Sequence, residues 1–322
     1  MKKLVALGLL LAVLLLVVGG FFLSGWTNPG PAAKPVPVLI APGSSLAKAA
    51  DTLEQAGVLG SADRFLLQAK LFGGDEPIQA GEYEFPAKAS PSEVLRLLQS
   101  GKTLQRFVAV PEGLPSILVY ERLMAAPALT GDIAVPEEGS VLPDSYSYQR
   151  GETRAEVLQR MQAAMTKELD ALWAKRKPHA VVASKHDALT LASIVEKETA
   201  KPSERRMIAG VYSNRIRTGM PLQADPTVIY PITKGKPLGR RILRSELRAK
   251  NGYNTYSMAG MPIGPIANPG RESIAAVLDP EPTQALYFVA DGTGGHVFAN
   301  TLDEHNANVR KWFAIRRARG EM

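Results

Sequence analysis

Leu4 to Leu23 is an unbroken run of apolar and glycine residues without a single charge, and Lys2 and Lys3 precede it. About 20 residues rising roughly 1.5 Å each match the thickness of a bilayer's hydrocarbon core. The run is therefore expected to be a transmembrane helix, which removes residues 1–23 from any globular core. A secretory signal has an apolar stretch of only about 7–15 residues followed by a small-residue cleavage site. This run is longer and no such site follows directly, so an uncleaved anchor is expected. The lysines lie before it, which places the N-terminus in the cytoplasm and the rest of the chain outside, as a single-pass protein of the inner (cytoplasmic) membrane. Residues 24–35, rich in proline, are expected to be an extended linker, with Trp26 at the membrane interface.

Beyond the anchor the composition is that of a folded protein: 322 residues, 45% hydrophobic and 21% charged. A chain of this size divides into two or more units. The absence of cysteine excludes disulfides and thiolate metal sites. His179, His186, His296 and His305 lack zinc-site spacing, so neither a metal nor another cofactor is expected. Setting Lys2 and Lys3 aside leaves a net charge of about +5, and no motif interleaves aromatic with basic residues. A nucleic-acid partner is not expected.

The pattern from Val36 onward predicts a strand, a helix over Leu46–Gly57, a second helix over Ala62–Phe72, and a strand of period-two alternation over Gln79–Phe85. This βααβ order, over residues 36–105, resembles a LysM-like module, the small fold associated with chitin and peptidoglycan glycans. Val108-Ala-Val-Pro-Glu-Gly113 echoes Val38-Leu-Ile-Ala-Pro-Gly43, which predicts a second strand-turn-helix unit with Pro115 near the helix start.

Residues 106–322 are expected to form a mixed α+β catalytic domain. A long helix is predicted over Thr153–Ala174, and the next, from Asp187, ends in Ser193-Ile-Val-Glu-Lys-Glu-Thr-Ala200. Two carboxylates, Glu196 and Glu198, fall about 160° apart on it at roughly 100° per residue. They cannot serve one site as a pair. A carboxyl held against small apolar neighbours such as Leu189, Ala192 and Ser193, which share a face with Glu196, is suited to general acid catalysis because desolvation disfavours its anion. The bland reading of the same residues is the solvated last turn of an amphipathic helix.

"LASIVEKETA", "VYSNRIRTGMPLQADPTVIY", "YNTY", "GPIANPG" and "YFVADGTGGHVF", in that order, resemble the endolytic murein transglycosylase family, also called MltG or YceG-like. The resemblance implies a lyase that cuts MurNAc-GlcNAc bonds within nascent glycan strands, leaves 1,6-anhydroMurNAc ends, and so terminates strand elongation. It places the catalytic acid at Glu196 or Glu198. A further resemblance, to cell-wall hydrolases with a glutamate at a fixed distance before an Asn-Arg pair, favours Glu196, which precedes Asn214-Arg215. Glu198 is the alternative. Peptidoglycan strands are the implied substrate and peptidoglycan synthases the implied partners.

Gln223, Asp225, Thr227 and Tyr230 offer hydrogen-bonding groups on what reads as a turn, with Asp225 restrained before Pro226. Tyr253, Asn254 and Tyr256 combine aromatic platforms with amides suited to pyranose faces and acetamido groups, and Asn268 sits in a rigid Pro-rich loop. All eight are candidate substrate ligands. At Ile263 the chain departs from the family's more usual proline. Gly292, Gly294 and Gly295 read as a hairpin tip rather than a nucleotide loop, with His296 beside them. A non-catalytic, membrane-anchored glycan-binding scaffold is the rival from another class, and a muramidase that admits water is a third reading.

Overall fold

The structure, a computed structural model, describes residues 19–20 and 23–321. The expected anchor lies almost wholly outside the described residues, and among these no helix is long and apolar enough to cross a membrane. The architecture is α+β and divides into two compact units. One runs to Arg106 and takes in Ser147–Gly151; the other comprises Phe107–Tyr146 and the chain from Glu152 onward.

In the first unit, β1 (Val36–Ile40) pairs antiparallel with β2 (Gly81–Phe85), in a register that sets Val36 opposite Phe85 and Ile40 opposite Gly81. Between them come α1 (Leu46–Gln55) and α2 (Ala62–Phe72), and α3 (Pro91–Ser100) follows β2. Each helix begins where the sequence supplies a serine to accept an otherwise unpaired backbone N–H: Ser45, Ser61, and Ser90 with Glu93 as a capping box. Strand alternation turns Val38 and Ile40 inward, where Leu53, Phe65, Tyr83, Phe85 and Leu98 complete the core. The Tyr83 hydroxyl is satisfied there by the carbonyls of Gln79 and Leu98 at 2.8 and 3.2 Å.

Glu82 points the other way along β2 yet is also buried. Burial alone would push its carboxyl up, but Arg106 and Arg150 outweigh that and bring it below its usual range.

The expectation of a free linker needs correction. Residues 23–27 are helical, and Trp26 is buried, its ring centroid 6.2 Å from that of Phe65 and 6.3 Å from that of Phe72. Further on, Gly30 N–H donates to the Lys88 carbonyl, and Lys88 N–H donates to that of Ala32. Proline restricts the chain but does not prevent packing, and an indole brings a large apolar area that is more stable inside a core than in water.

In the second unit, α6 (Lys185–Glu198) is the central element. Ser184 and Asp187 cap its start, and Ala188, Thr190, Leu191, Ala192, Ser193, Ile194 and Val195 are all buried, so it is enclosed on nearly every side. Around it pack α7 (Arg205–Arg217), α8 (Asp225–Thr233) and α10 (Arg271–Leu278), while α5 (Arg154–Trp173) packs on α10. Earlier in the chain is α4 (Ser116–Ala125), which starts directly after Pro115, and α9 (Arg244–Leu247) is a single turn; β3 (Arg106–Ala109) and β4 (Ser145–Tyr148) each have residues on both sides of the division between the units.

The chain ends in an antiparallel hairpin, β5 (Tyr287–Ala290) and β6 (His296–Ala299), covered by α11 (Leu302–Ala318). Gly210 is required inside α7: a Cβ there would come within 2.5 Å of the Glu281 carbonyl oxygen. Segment 223–230 is not the turn expected. Pro226 occupies the first turn of α8, where the missing N–H has no helical partner to lose.

Candidate active site

The two glutamates of α6 lie in different surroundings. Glu196 has both oxygens occupied: Oε1 accepts from Arg205 Nη2 at 3.3 Å, and Oε2 accepts from Gly270 N–H at 2.8 Å. Its side chain is only 5% exposed, and Arg205 also holds Glu112 at 3.0 Å. The small apolar face expected around Glu196 is thus completed by a guanidinium and a backbone donor from residues distant in sequence. This carboxylate ties α6 to the start of α7 and to the loop before α10.

Glu198, one turn-end further, opens on a cleft of about 440 Å³ lined by Tyr212 and Arg215 of α7, Leu222, Gln223 and Asp225 before and at the start of α8, Tyr256, Phe288 and Val289 of β5, and His305 of α11. Its size falls within the range of small-ligand sites. Burial pushes the Glu198 carboxyl up to about 7; a hydrogen bond from Tyr212 works against that shift, the negative charge of Asp225 adds to it, and Arg215 partly offsets it. Near neutrality a substantial fraction of Glu198 is therefore protonated, as a general acid requires. The Tyr212 hydroxyl is itself raised well above its usual value by burial and by Glu198, so it stays a donor.

Backbone carbonyls fix Arg215. Its Nε donates to Leu286 O at 2.7 Å, and Nη1 donates to Leu222 O at 2.9 Å, to Pro221 O at 3.2 Å and to Gln223 Oε1 at 3.2 Å. The guanidinium thus supplies positive charge to the cleft without closing an ion pair on Glu198. Asp225 accepts from Tyr256 Oη at 2.6 Å, and burial, followed by this bond, raises the Tyr256 phenol. Gln223 holds a left-handed backbone, φ 55°, a strained conformation for a residue with a side chain and one that clusters at functional sites.

Of the eight expected substrate ligands, Gln223, Asp225 and Tyr256 line the cleft with Glu198. The other five do not. Thr227 is fully buried and bonded to Ala224 O and Thr255 Oγ1. Asn254, also fully buried, staples its loop by donating to the carbonyls of Glu246, Leu247 and Ala249 and accepting from Tyr256 N–H. Asn268 does the same for another loop, accepting from Val141 N–H and donating to Leu114 O and Ser116 Oγ.

Tyr230 packs on Tyr253 with ring centroids 4.7 Å apart, and its hydroxyl bonds to Glu138. Burial, then Glu138, raises the Tyr230 phenol. These amides and hydroxyls are consumed inside the protein. At Ile263 the N–H donates to Gly252 O at 2.9 Å, a bond that a proline there could not make, and His186 binds the Ile263 carbonyl at 3.1 Å. His296 is held by Glu204 at 2.8 Å.

Tyr212, Arg215, Phe288 and His305 were not singled out from sequence as site residues. Arg215 carried the one available signal, as half of the Asn-Arg pair. Asn214 donates to Thr283 O and Ala285 O, so the pair grips the segment leading into β5, and Arg215 lines the Glu198 cleft.

Comparison with known proteins gives a consistent result. The sequence model of the YceG-like family matches residues 38–311. A Bacillus subtilis protein named endolytic murein transglycosylase is 30% identical over 93% of this chain and 92% of its own length. A Streptococcus pneumoniae protein of the same name is 29% identical over 86% of this chain, which spans 58% of that longer protein. The crystal structure of a YceG-like protein from Listeria monocytogenes, 28% identical, aligns with a TM-score of 0.52 over 86% of this chain and 99% of that one. With a family match running from β1 into α11, the chain belongs to the YceG-like family.

Proposed function

We propose that this chain is an endolytic murein transglycosylase, a lyase, in which Glu198 rather than Glu196 is the catalytic acid. The observation that carries the assignment is the Glu198 carboxyl itself: at the mouth of α6, raised to about 7, and sharing a cleft with Asp225, Tyr256, Gln223 and Arg215. Relatives named for this activity over most of the chain's length support the reaction class.

Protonated Glu198 gives its proton to the oxygen joining N-acetylmuramic acid to N-acetylglucosamine, and the bond from that oxygen to the muramic C1 breaks with its electron pair on the leaving oxygen. The muramic C6 hydroxyl oxygen bonds to C1, and its proton passes to the Glu198 carboxylate, which regenerates the acid. No water is consumed and the product is a 1,6-anhydro ring. Two-carboxylate glycosidases need a second group as base or nucleophile; here proximity of the internal hydroxyl replaces it. Tyr212 and Arg215 stabilise the transient anion through a hydrogen bond and a fixed positive charge.

The antiparallel β1-β2 pair enclosing two helices is compatible with a LysM-like, glycan-binding role for the first unit, and the charge-free run at Leu4–Leu23 supports anchoring to the inner membrane beside nascent strands. Peptidoglycan synthases are the partners such a position would serve. Digestion of purified peptidoglycan by the full chain in detergent, with mass spectrometry of the glycan ends, tests the reaction. Anhydro ends are expected. Reducing ends would mean hydrolysis, with Asp225 as the second carboxylate, and no cleavage would favour a binding scaffold.

A further inference from the structure

The cleft holds one polar side chain that neither the acid-base step nor the protein's own hydrogen bonding accounts for. Of the four imidazoles, three are tied to protein acceptors: His179 Nε2 to Pro280 O at 3.1 Å, His186 Nε2 to Ile263 O at 3.1 Å, and His296 Nδ1 to Glu204 at 2.8 Å. His305 is the exception. Its ring makes no hydrogen bond among the described residues, although it lines the same cleft as Glu198, and its Nδ1 is enclosed with no partner. A polar ring atom left unpaired in a folded protein calls for an explanation.

The ring is nevertheless well fixed. His305 sits in the first turn of α11, its own N–H bonded to Thr301 O, and its imidazole stacks on Tyr287 with centroids 5.2 Å apart and planes at 24°. The Arg215 guanidinium lies 5.4 Å from that same Tyr287 ring. Burial, then the Arg215 charge, pushes the imidazole below its ordinary value, which favours the neutral ring. A neutral imidazole carries one proton. An N–H at enclosed Nδ1 would be a donor with no acceptor, whereas a lone pair there suits the positive field of Arg215. The proton therefore belongs on Nε2, the nitrogen that is not enclosed. The result is a rigid neutral donor with nothing in the protein to receive it.

We propose that His305 is a glycan-binding residue of the cleft, its Nε2–H donating to a hydroxyl or acetamido oxygen of the bound strand. This rests on the murein reading. Its role is to hold the sugar chain, with no part in the transfer of the proton at Glu198.

The test uses the full chain carrying Glu198→Gln, so that ligand survives, titrated calorimetrically with a purified murein tetrasaccharide. Adding His305→Phe or His305→Ala is expected to weaken binding about tenfold, the equivalent of roughly 1.4 kcal/mol. His305→Gln, whose amide can reach the Nε2 position, should stay within about threefold. In the otherwise wild-type chain the Phe and Ala variants should raise KM with kcat little changed. Unaltered affinity in both variants, a loss in only one of these two opposite volume changes, or a Gln variant as weak as Phe would overturn the assignment. Cleavage of the same oligosaccharide by wild-type protein judges the murein reading separately: if it is not cut, that reading fails whatever His305 does.

Discussion

Replacing Glu198 by Gln should make the protein inactive and, at the same time, more stable above neutrality. In the folded state the carboxyl is displaced from its ordinary 4.5 to about 7, chiefly by burial. At about 1.4 kcal/mol per pH unit, full ionisation of Glu198 costs the native state at most roughly 3.5 kcal/mol. Water reaching the cleft lowers that toward about 1–2 kcal/mol. Between pH 4.5 and 7 the native state holds more protons at this site than the unfolded chain, so stability falls as pH rises through the window, and above pH 7 the whole penalty is present.

Glutamine has the shape of the protonated acid and does not ionise. The variant is therefore expected to melt with the wild type near pH 4.5 and above it at pH 8, by a few degrees at roughly 2–4 °C per kcal/mol for a unit of this size. Scanning calorimetry from pH 4.5 to 8.5 reads the difference directly. A gap between variant and wild type that does not change with pH, or one that opens in the opposite direction, would refute the argument that Glu198 is a desolvated acid.

Glu196→Gln should behave in the opposite sense, destabilising the protein by about 1–3 kcal/mol because Arg205 keeps only Glu112 as a charge partner, while the folded fraction keeps its activity; denaturant melts and specific activity separate the two effects. Asn268→Ala removes a fully buried amide that serves several loop groups, and should cost about 2–4 kcal/mol in urea unfolding without altering KM. Trp26→Ala should destabilise the first unit by about 3–5 kcal/mol, read as an earlier calorimetric transition with the second unit's transition unmoved; an unchanged thermogram would return this segment to the status of a linker.

Most helices were legible because their signals are local. The apolar period predicted α2 over Ala62–Phe72, the bounds it has, and a helix from Thr153 to Ala174 that differs from α5 by a residue at each end, where the structure adds the Ser61 and Thr153–Glu156 caps. The glycine-bearing tip between Leu286 and Val297 announced the final hairpin. The site was less legible, for a reason visible in α6. A helix buried on nearly every side has no polar face to orient it, so the angle separating Glu196 from Glu198 could not say which one meets a cleft. That choice is made by Arg205 and Gly270 on one side and by Tyr212, Arg215 and β5 on the other, all brought in from distant sequence.

Asn254 and Asn268 illustrate the same limit, because an amide suited to an acetamido group is equally suited to a loop carbonyl, and burial decides between them. Pro226 misled in a different way: a proline that ends one element also opens another, here α8. His305 carried no sequence signal, since its meaning lies in what it fails to contact.

The central claim is the assignment of the acid, and the most direct measurement compares glycan ends released from peptidoglycan by wild type, Glu196→Gln and Glu198→Gln at equal folded concentration. Anhydro-muramic ends are expected from the wild type and Glu196→Gln, and none above background from Glu198→Gln. Anhydro ends persisting in Glu198→Gln, or a folded Glu196→Gln that releases none, would contradict the account.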